Sequence, residues 1–260
     1  MHIKLPYRQL LLAATAITLL AAPTQAATTS LYQEVDPGAL TINSAGSDAM
    51  SGTTANATHD QLTSGSLGAV NVTDNRGSAA GWSATMTASN FTYLEPPVRV
   101  SGSTGGITLG GSFTGNSSTP FTVTITAAGP VGSSQFSVTG VSGPLTTAAG
   151  DIALGSTGLT VRFSAGTYQV GDQWTFRDDV IPASNLTVTM PNVNGVAGGY
   201  QGVQPGPVHS FSDSSDSATI MSAPAGSGMG FFTDIPSLAL TIPASTHSGT
   251  YVATITETVN

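Results

Sequence analysis

The sequence predicts an all-β protein built as an antiparallel β-sandwich, and three observations carry that prediction. Apolar and polar residues alternate at period two in many short stretches. Clusters of Gly, Pro and Ser bound those stretches, and strong helix formers are scarce after residue 26. Lys occurs once, at Lys4, so helical faces stitched by Lys–Glu pairs are excluded. The 38 Thr and 31 Ser suit strands whose outer faces are polar but uncharged. Disorder goes with low hydrophobicity and high net charge, whereas the mean hydropathy here is +0.15.

Taken in order, the chain opens with Lys4 and Arg8, an apolar stretch from Leu10 to Ala22, and the small-residue site Thr24-Gln25-Ala26. This reads as a signal peptide over residues 1–26, with the mature chain beginning at Ala27. Pro23 interrupts the apolar run after about a dozen residues, too few to cross roughly 30 Å of hydrocarbon. Trp82, Ala84, Met86 and Ala88 then line one face of a strand, and Pro96-Pro97 closes the strand region around Phe91 to Leu94.

From there a segment has its own dense strand pattern. Phe121, Val123, Ile125 and Ala127 share one face, as do Leu159, Val161 and Phe163, and the segment ends near Trp174-Thr175-Phe176. Leu186, Val188 and Met190 form the next apolar face, while Asn192 to Gly230, mostly Gly, Ser, Pro and Ala, reads as long loops. Leu238, Leu240 and Ile242 line one strand, and Tyr251, Ala253 and Ile255 line the last. One apolar face per strand implies two sheets packed face to face or a sheet closed on itself. The predicted organisation is a discontinuous sandwich, 27–96 and 179–260, split by an inserted β domain at 97–178.

Without the signal peptide, four Arg face fourteen acidic residues, a net charge of −10. Nucleic acid is excluded as a partner, because phosphate binding needs clustered Lys and Arg, and Arg76, Arg99, Arg162 and Arg177 are widely spaced. Anionic membrane is disfavoured on the same ground, and no apolar run of spanning length follows the signal peptide, so no membrane insertion is expected. The chain has no Cys, which removes disulfides, thiolate metal sites and Cys nucleophiles, and implies a core that holds without staples.

Catalytic signatures are sparse. His59, His209 and His247 each stand alone among Ser, Thr or Gly, with no His-Glu-x-x-His and no Gly-x-Ser-x-Gly elbow. Asp172, Asp178 and Asp179 around Trp174 suggest a sugar cleft, but Gly171-Asp172 reads more simply as a turn before a strand. The oxygen-rich run Ser212-Asp213-Ser214-Ser215-Asp216-Ser217 offers ligands for calcium without EF-hand spacing, so a solvated loop is the preferred reading and no cofactor is expected. Sequons at Asn56, Asn71, Asn90, Asn116 and Asn185 matter only in a eukaryotic secretory pathway.

One constellation stands out. In Asp74-Asn75-Arg76-Gly77, followed by Gly81-Trp82, the first four are turn residues, Gly81 lets the backbone crowd close, and Trp82 is in register with Ala84 and Met86. Asp74 is the simplest partner for Arg76, and Trp82 reads as a core aromatic or, alternatively, as a glycan-stacking platform. The whole stretch from Gly68 to Thr85 resembles the signature of the WxL-domain family of bacterial cell-surface proteins. Leu238 to Ala244 with Ser248 to Thr256 is similar to that family's closing strand pair, and Asp36 to Ile42 to its opening strand. Ala84 stands where the first motif has Leu, and Glu257 where the second has Trp, so the double-Trp pattern is halved.

The resemblance implies a WxL-like sandwich in a secreted protein of the cell surface or cell wall. Such a protein is non-enzymatic and is held noncovalently to peptidoglycan or to other surface proteins. Asp74, Arg76, Gly77, Gly81 and Trp82 are its motif residues, mainly structural. The alternative is a structural subunit or adhesin of an extracellular assembly, to which low-charge, Thr-rich strands are suited.

Overall fold

The computed structural model describes residues 31–260 apart from 45, 47, 103, 104 and 198–201. The signal peptide expected over 1–26 lies outside the described residues. Leu31 to Asp36, the described part of a unit separate from Pro37–Asn260, have no regular structure and exposed side chains. From Pro37 onward the described chain is all-β, every strand pairing is antiparallel, and the one helical turn is a 3-10 helix at Ala183–Asn185.

The period-two alternation decides which side chains are buried. In Trp82–Ala88 every second residue is buried and the rest are half-buried. The same alternation runs through Leu159–Phe163 and the middle of Thr119–Ala127, while in Gln173–Ile181 it changes phase at the consecutive buried Asp178 and Asp179. The buried side chains gather into two hydrophobic clusters. One contains Phe121, Ile125, Phe136, Phe163, Tyr168 and Trp174, all of whose members fall between residues 107 and 176. The other draws Val70, Trp82 and Met86 from before that segment and Ile181, Leu186, Ile220, Phe232 and Leu240 from after it.

Three four-stranded sheets surround the second cluster. The strand Val70–Asp74 lies between Leu40–Asn43 and Gly230–Asp234. Ser237–Ile242 lies between Leu186–Thr189 and Gln61–Ser66. Trp82–Ala88 lies between Ser217–Ala223 and Ile255–Val259. Around the first cluster, Gln173–Ile181 is the long central strand: it pairs with Thr119–Ala127 on one side and with Phe91–Leu94 and Val98–Ser101 on the other. Its Trp174 and Phe176 enter one cluster and its Ile181 the other, so one strand is shared by both cores.

Two expectations need correction. Asn192 to Gly230 is not loop alone, since it holds Asn194–Ala197, Gln204–Pro205, His209–Ser210 and Ser217–Ala223, the last of these interior to its sheet. The final strand is Ile255–Val259; Tyr251 and Ala253 precede it in a segment joined to the fold by the isolated bridge Thr92↔Val252.

Candidate functional site

The Asp74–Trp82 segment forms a closed structural unit. Arg76 donates from Nε to Asp74 Oδ1 at 2.9 Å and from Nη2 to Oδ2 at 3.0 Å, and its backbone N–H reaches the same Oδ1 at 3.0 Å. Nη2 also donates to the Gly81 carbonyl at 2.7 Å, so one guanidinium ties the start of the turn to its end. Asp74 is 1% exposed, and the Arg76 hydrogen bond outweighs burial to hold its carboxyl below the usual carboxylate range.

Gly77 and Gly81 both have positive φ, and at Gly81 a Cβ would sit 2.7 Å from the Ala223 carbonyl oxygen, so only Gly fits. Trp82 is 5% exposed, packs on Phe232 with ring centroids 5.6 Å apart, and donates from Nε1 to the buried Gly228 carbonyl at 2.8 Å. Its ring is therefore part of the core and presents no face for stacking a glycan.

The other sequence candidates are likewise absorbed by local structure. Trp174 is 2% exposed with the Arg99 guanidinium 5.2 Å above its ring. Asp172 Oδ2 accepts the Gln169 N–H, closing the turn expected at Gly171. In the run considered for calcium, Asp213 Oδ1 accepts from the Ser215 N–H and hydroxyl, and Asp216 accepts the N–H groups of Ser212 and Ser217. Those donors lower both carboxyls, Asp216 to about 2, so the oxygens are engaged by their own loop.

A cleft of about 700 Å³ lies between the Gln61–Ser66 region and the strand Ile255–Val259. Its walls include Met50, Phe91, Ile181, Leu240, Ile242, Tyr251 and Ile255, and Asp48, His247 and Glu257 also line it. Residues near Ser51 lie along one side, where the Ser51 N–H donates to the Ser64 carbonyl at 2.8 Å. On the other side Ile255–Val259 has a ladder partner on one edge only among the described strands.

A polar cluster bounds one end of this cleft, and sheet register explains it. Tyr93 lies directly opposite Asp179, and the Glu95 N–H bonds the Arg177 carbonyl, so Tyr93, Glu95, Arg177 and Asp179 share one face. Across that face lies the segment after Ile242, held by Thr246 bonds to the Pro243 carbonyl and by the Tyr251 hydroxyl donating to the His247 carbonyl. Gly249 meets the Tyr93 ring so closely that a Cβ would lie 2.3 Å from it, and the Tyr93 and Tyr251 rings are 5.6 Å apart.

The result places His247 Nδ1 2.6 Å from Glu95 Oε1 and 3.1 Å from Asp179 Oδ2. Arg177 Nε holds Asp179 Oδ1 at 2.5 Å, while Oδ2 is buried and accepts no hydrogen bond. Burial, reinforced by the charges of Asp179 and Glu95, pushes the Tyr251 hydroxyl well up, which keeps it a donor. Burial and the neighbouring Asp179 push Asp178 up to about 6. Glu95, Asp179 and His247 each bring one ligand atom within 4.8 Å of the others. Sequence reasoning missed this trio because strand pairing brings Glu95 to Asp179 and the separate segment after Ile242 brings His247 to both, from far apart in the chain.

Fold and site together define an all-β protein with two hydrophobic cores, an apolar cleft and a carboxylate–imidazole cluster at one end of it. No family model matches the chain, and no curated protein or solved structure matches it either.

Proposed function

We propose that the protein is exported, stays at the cell surface or wall, and works there by binding rather than by catalysis. The binding site in this reading is the cleft, and its occupant is an extended, uncharged peptide segment of a surface partner. The observation that supports it most is the cleft of about 700 Å³ beside the one-sided strand Ile255–Val259. The edge of Ile255–Val259 away from Trp82–Ala88 makes no ladder with the described strands, although Leu40–Asn43 lies near this strand; main-chain groups there can pair with an added strand, and apolar walls take every second side chain. Asp48 and Glu257 line the cleft and disfavour acidic segments. The signal peptide expected over residues 1–26 and the resemblance of Gly68 to Thr85 to the WxL signature support that cellular setting.

The test is fluorescence anisotropy of mature protein with labelled ten-residue peptides of alternating Val and Thr, flanked by Ser, Lys or Asp. The Ser- and Lys-flanked peptides should bind and the Asp-flanked peptide should not. Glu257→Lys should shift that preference towards Asp. Absence of binding by all three, or indifference to flanking charge, would refute the cleft as a peptide site.

A specific observation favours the assembly-subunit reading as well. Leu31, Tyr32 and Val35 are 94%, 94% and 85% exposed on a segment without regular structure, an apolar surface suited to contacts between copies. Mass photometry decides: large particles that vanish when 31–36 are replaced by Gly and Ser support assembly, and a monomer at all concentrations rejects it.

A further inference from the structure

We infer that Glu95, Asp179 and His247 form a binding site for a divalent transition-metal ion, with zinc the ion whose ligand preferences they match. The donor set is one imidazole nitrogen and two carboxylate oxygens, a combination that suits zinc and its first-row neighbours. An imidazole ligand argues against calcium or magnesium, which take oxygen. The three ligand atoms already lie within 4.8 Å of one another. Tetrahedral zinc with bonds near 2.0 Å separates its ligands by about 3.3 Å. The present separations of 2.6 and 3.1 Å from Nδ1 therefore need to open by about 0.7 and about 0.2 Å to reach that spacing.

A second, independent observation points the same way. Asp179 is 3% exposed, yet its Oδ2 accepts no hydrogen bond and faces His247. The imidazole Nδ1 at 3.1 Å is also 2.6 Å from Glu95 Oε1 and can donate to only one of the two carboxylates, so a cation held between all three offsets the cost of a buried carboxylate oxygen without a hydrogen bond. Arg177 grips the other oxygen of the same carboxylate, which fixes Oδ2 towards the trio as an outer partner fixes a metal ligand. The backbone that presents His247 is held by Pro243, Gly249 and Tyr251 contacts that do not involve the imidazole ring. The side chain of His247 is 45% exposed and that of Glu95 30%, so solvent reaches the trio and can complete the coordination. The site would pin the segment from Pro243 to Tyr251 onto the strand shared by both cores, whatever occupies the cleft.

The experiment uses untagged mature protein, stripped with chelator and titrated with cobalt as a spectroscopic probe, with zinc as competitor. One ion per chain is expected, with visible cobalt bands that zinc abolishes and a melting temperature that rises with zinc. His247→Ala should weaken binding by more than the roughly 10–100-fold that losing an outer partner costs, and Glu95→Gln should weaken it too. His209→Ala, whose ring pairs with Asp216 instead, should bind as the parent does. If circular dichroism shows that His247→Ala has perturbed the fold, Glu95→Gln decides. Failure of the folded protein to bind cobalt or zinc, or unchanged affinity in the deciding variant, would overturn the site.

Discussion

Replacing Trp82 by Phe separates a structural tryptophan from a binding one. The substitution keeps an aromatic ring against Phe232 but removes the Nε1 donor 2.8 Å from the Gly228 carbonyl, which is buried. Leaving that acceptor unsatisfied costs about 1–3 kcal/mol. The smaller ring also leaves part of a fully packed volume empty, and the two effects together come to about 2–4 kcal/mol. For a chain of this size that lowers the melting temperature by roughly 5–15 °C. Urea unfolding should be followed by far-ultraviolet circular dichroism, because the remaining fluorophore, Trp174, belongs to the other cluster. Binding of the Ser-flanked peptide, measured well below the transition, should be unchanged. A stability change under about 0.5 kcal/mol, within the range of ordinary surface substitutions, would refute the core assignment, as would lost binding with stability intact.

Three further outcomes follow from the same geometry. Arg76 holds the Asp74 carboxyl low, so the pair stabilises the fold above the ordinary carboxyl range and that stability is lost as pH falls through the folded-state value. Arg76→Ala should therefore destabilise at neutral pH and flatten the acid limb of a plot of urea midpoint against pH. Asp234 has the opposite sign: burial raises it, so the folded state binds its proton more tightly and loses stability as pH rises. Asp234→Asn should match the parent in acid and exceed it increasingly towards neutral pH in the same titration. Finally, we propose that 97–178 is an inserted domain; as all members of the first cluster lie within it, the fragment alone should melt cooperatively, and a featureless melt would reject independence.

Much of the fold was legible because the strands alternate cleanly. Trp82, Ala84, Met86 and Ala88 are all buried, as are Phe121, Val123 and Ile125. What escaped was Ser217–Ala223, an interior strand hidden in a stretch of small residues. Its ladder slips between Thr219 and Met221, and Ile220 and Met221 are both fully buried, so the period-two signal breaks where the strand is most central. In the motif, the Asp74–Arg76 pair was readable because its partners are two residues apart. The Gly228 carbonyl that fixes Trp82 lies 146 residues away. The trio of Glu95, Asp179 and His247 was less legible still, since each of its members is unremarkable until sheet register and the segment after Ile242 bring them together.

Charge is scarce in this chain, at 8% of residues, yet Asp74, Asp172, Asp178, Asp179 and Asp234 are all buried. Two of them are fully accounted for: Asp74 by Arg76, and Asp172 by the turn it closes. Asp178, Asp179 and Asp234 each retain a buried oxygen without a hydrogen bond. Asp178 and Asp179 are consecutive on the strand shared by both cores, so two buried carboxyls, only one of them paired with an Arg, sit where the two cores meet. Apolar residues at those positions would seal the junction without a desolvation penalty. Acids there are an expense that packing does not explain, and Asp179 turns its free oxygen towards the one imidazole and the one further carboxylate that complete a metal-ligating trio. The stability of the junction and the occupancy of that trio are, on this argument, the same property, so an added divalent ion should strengthen the contact between the two cores before it affects either core itself.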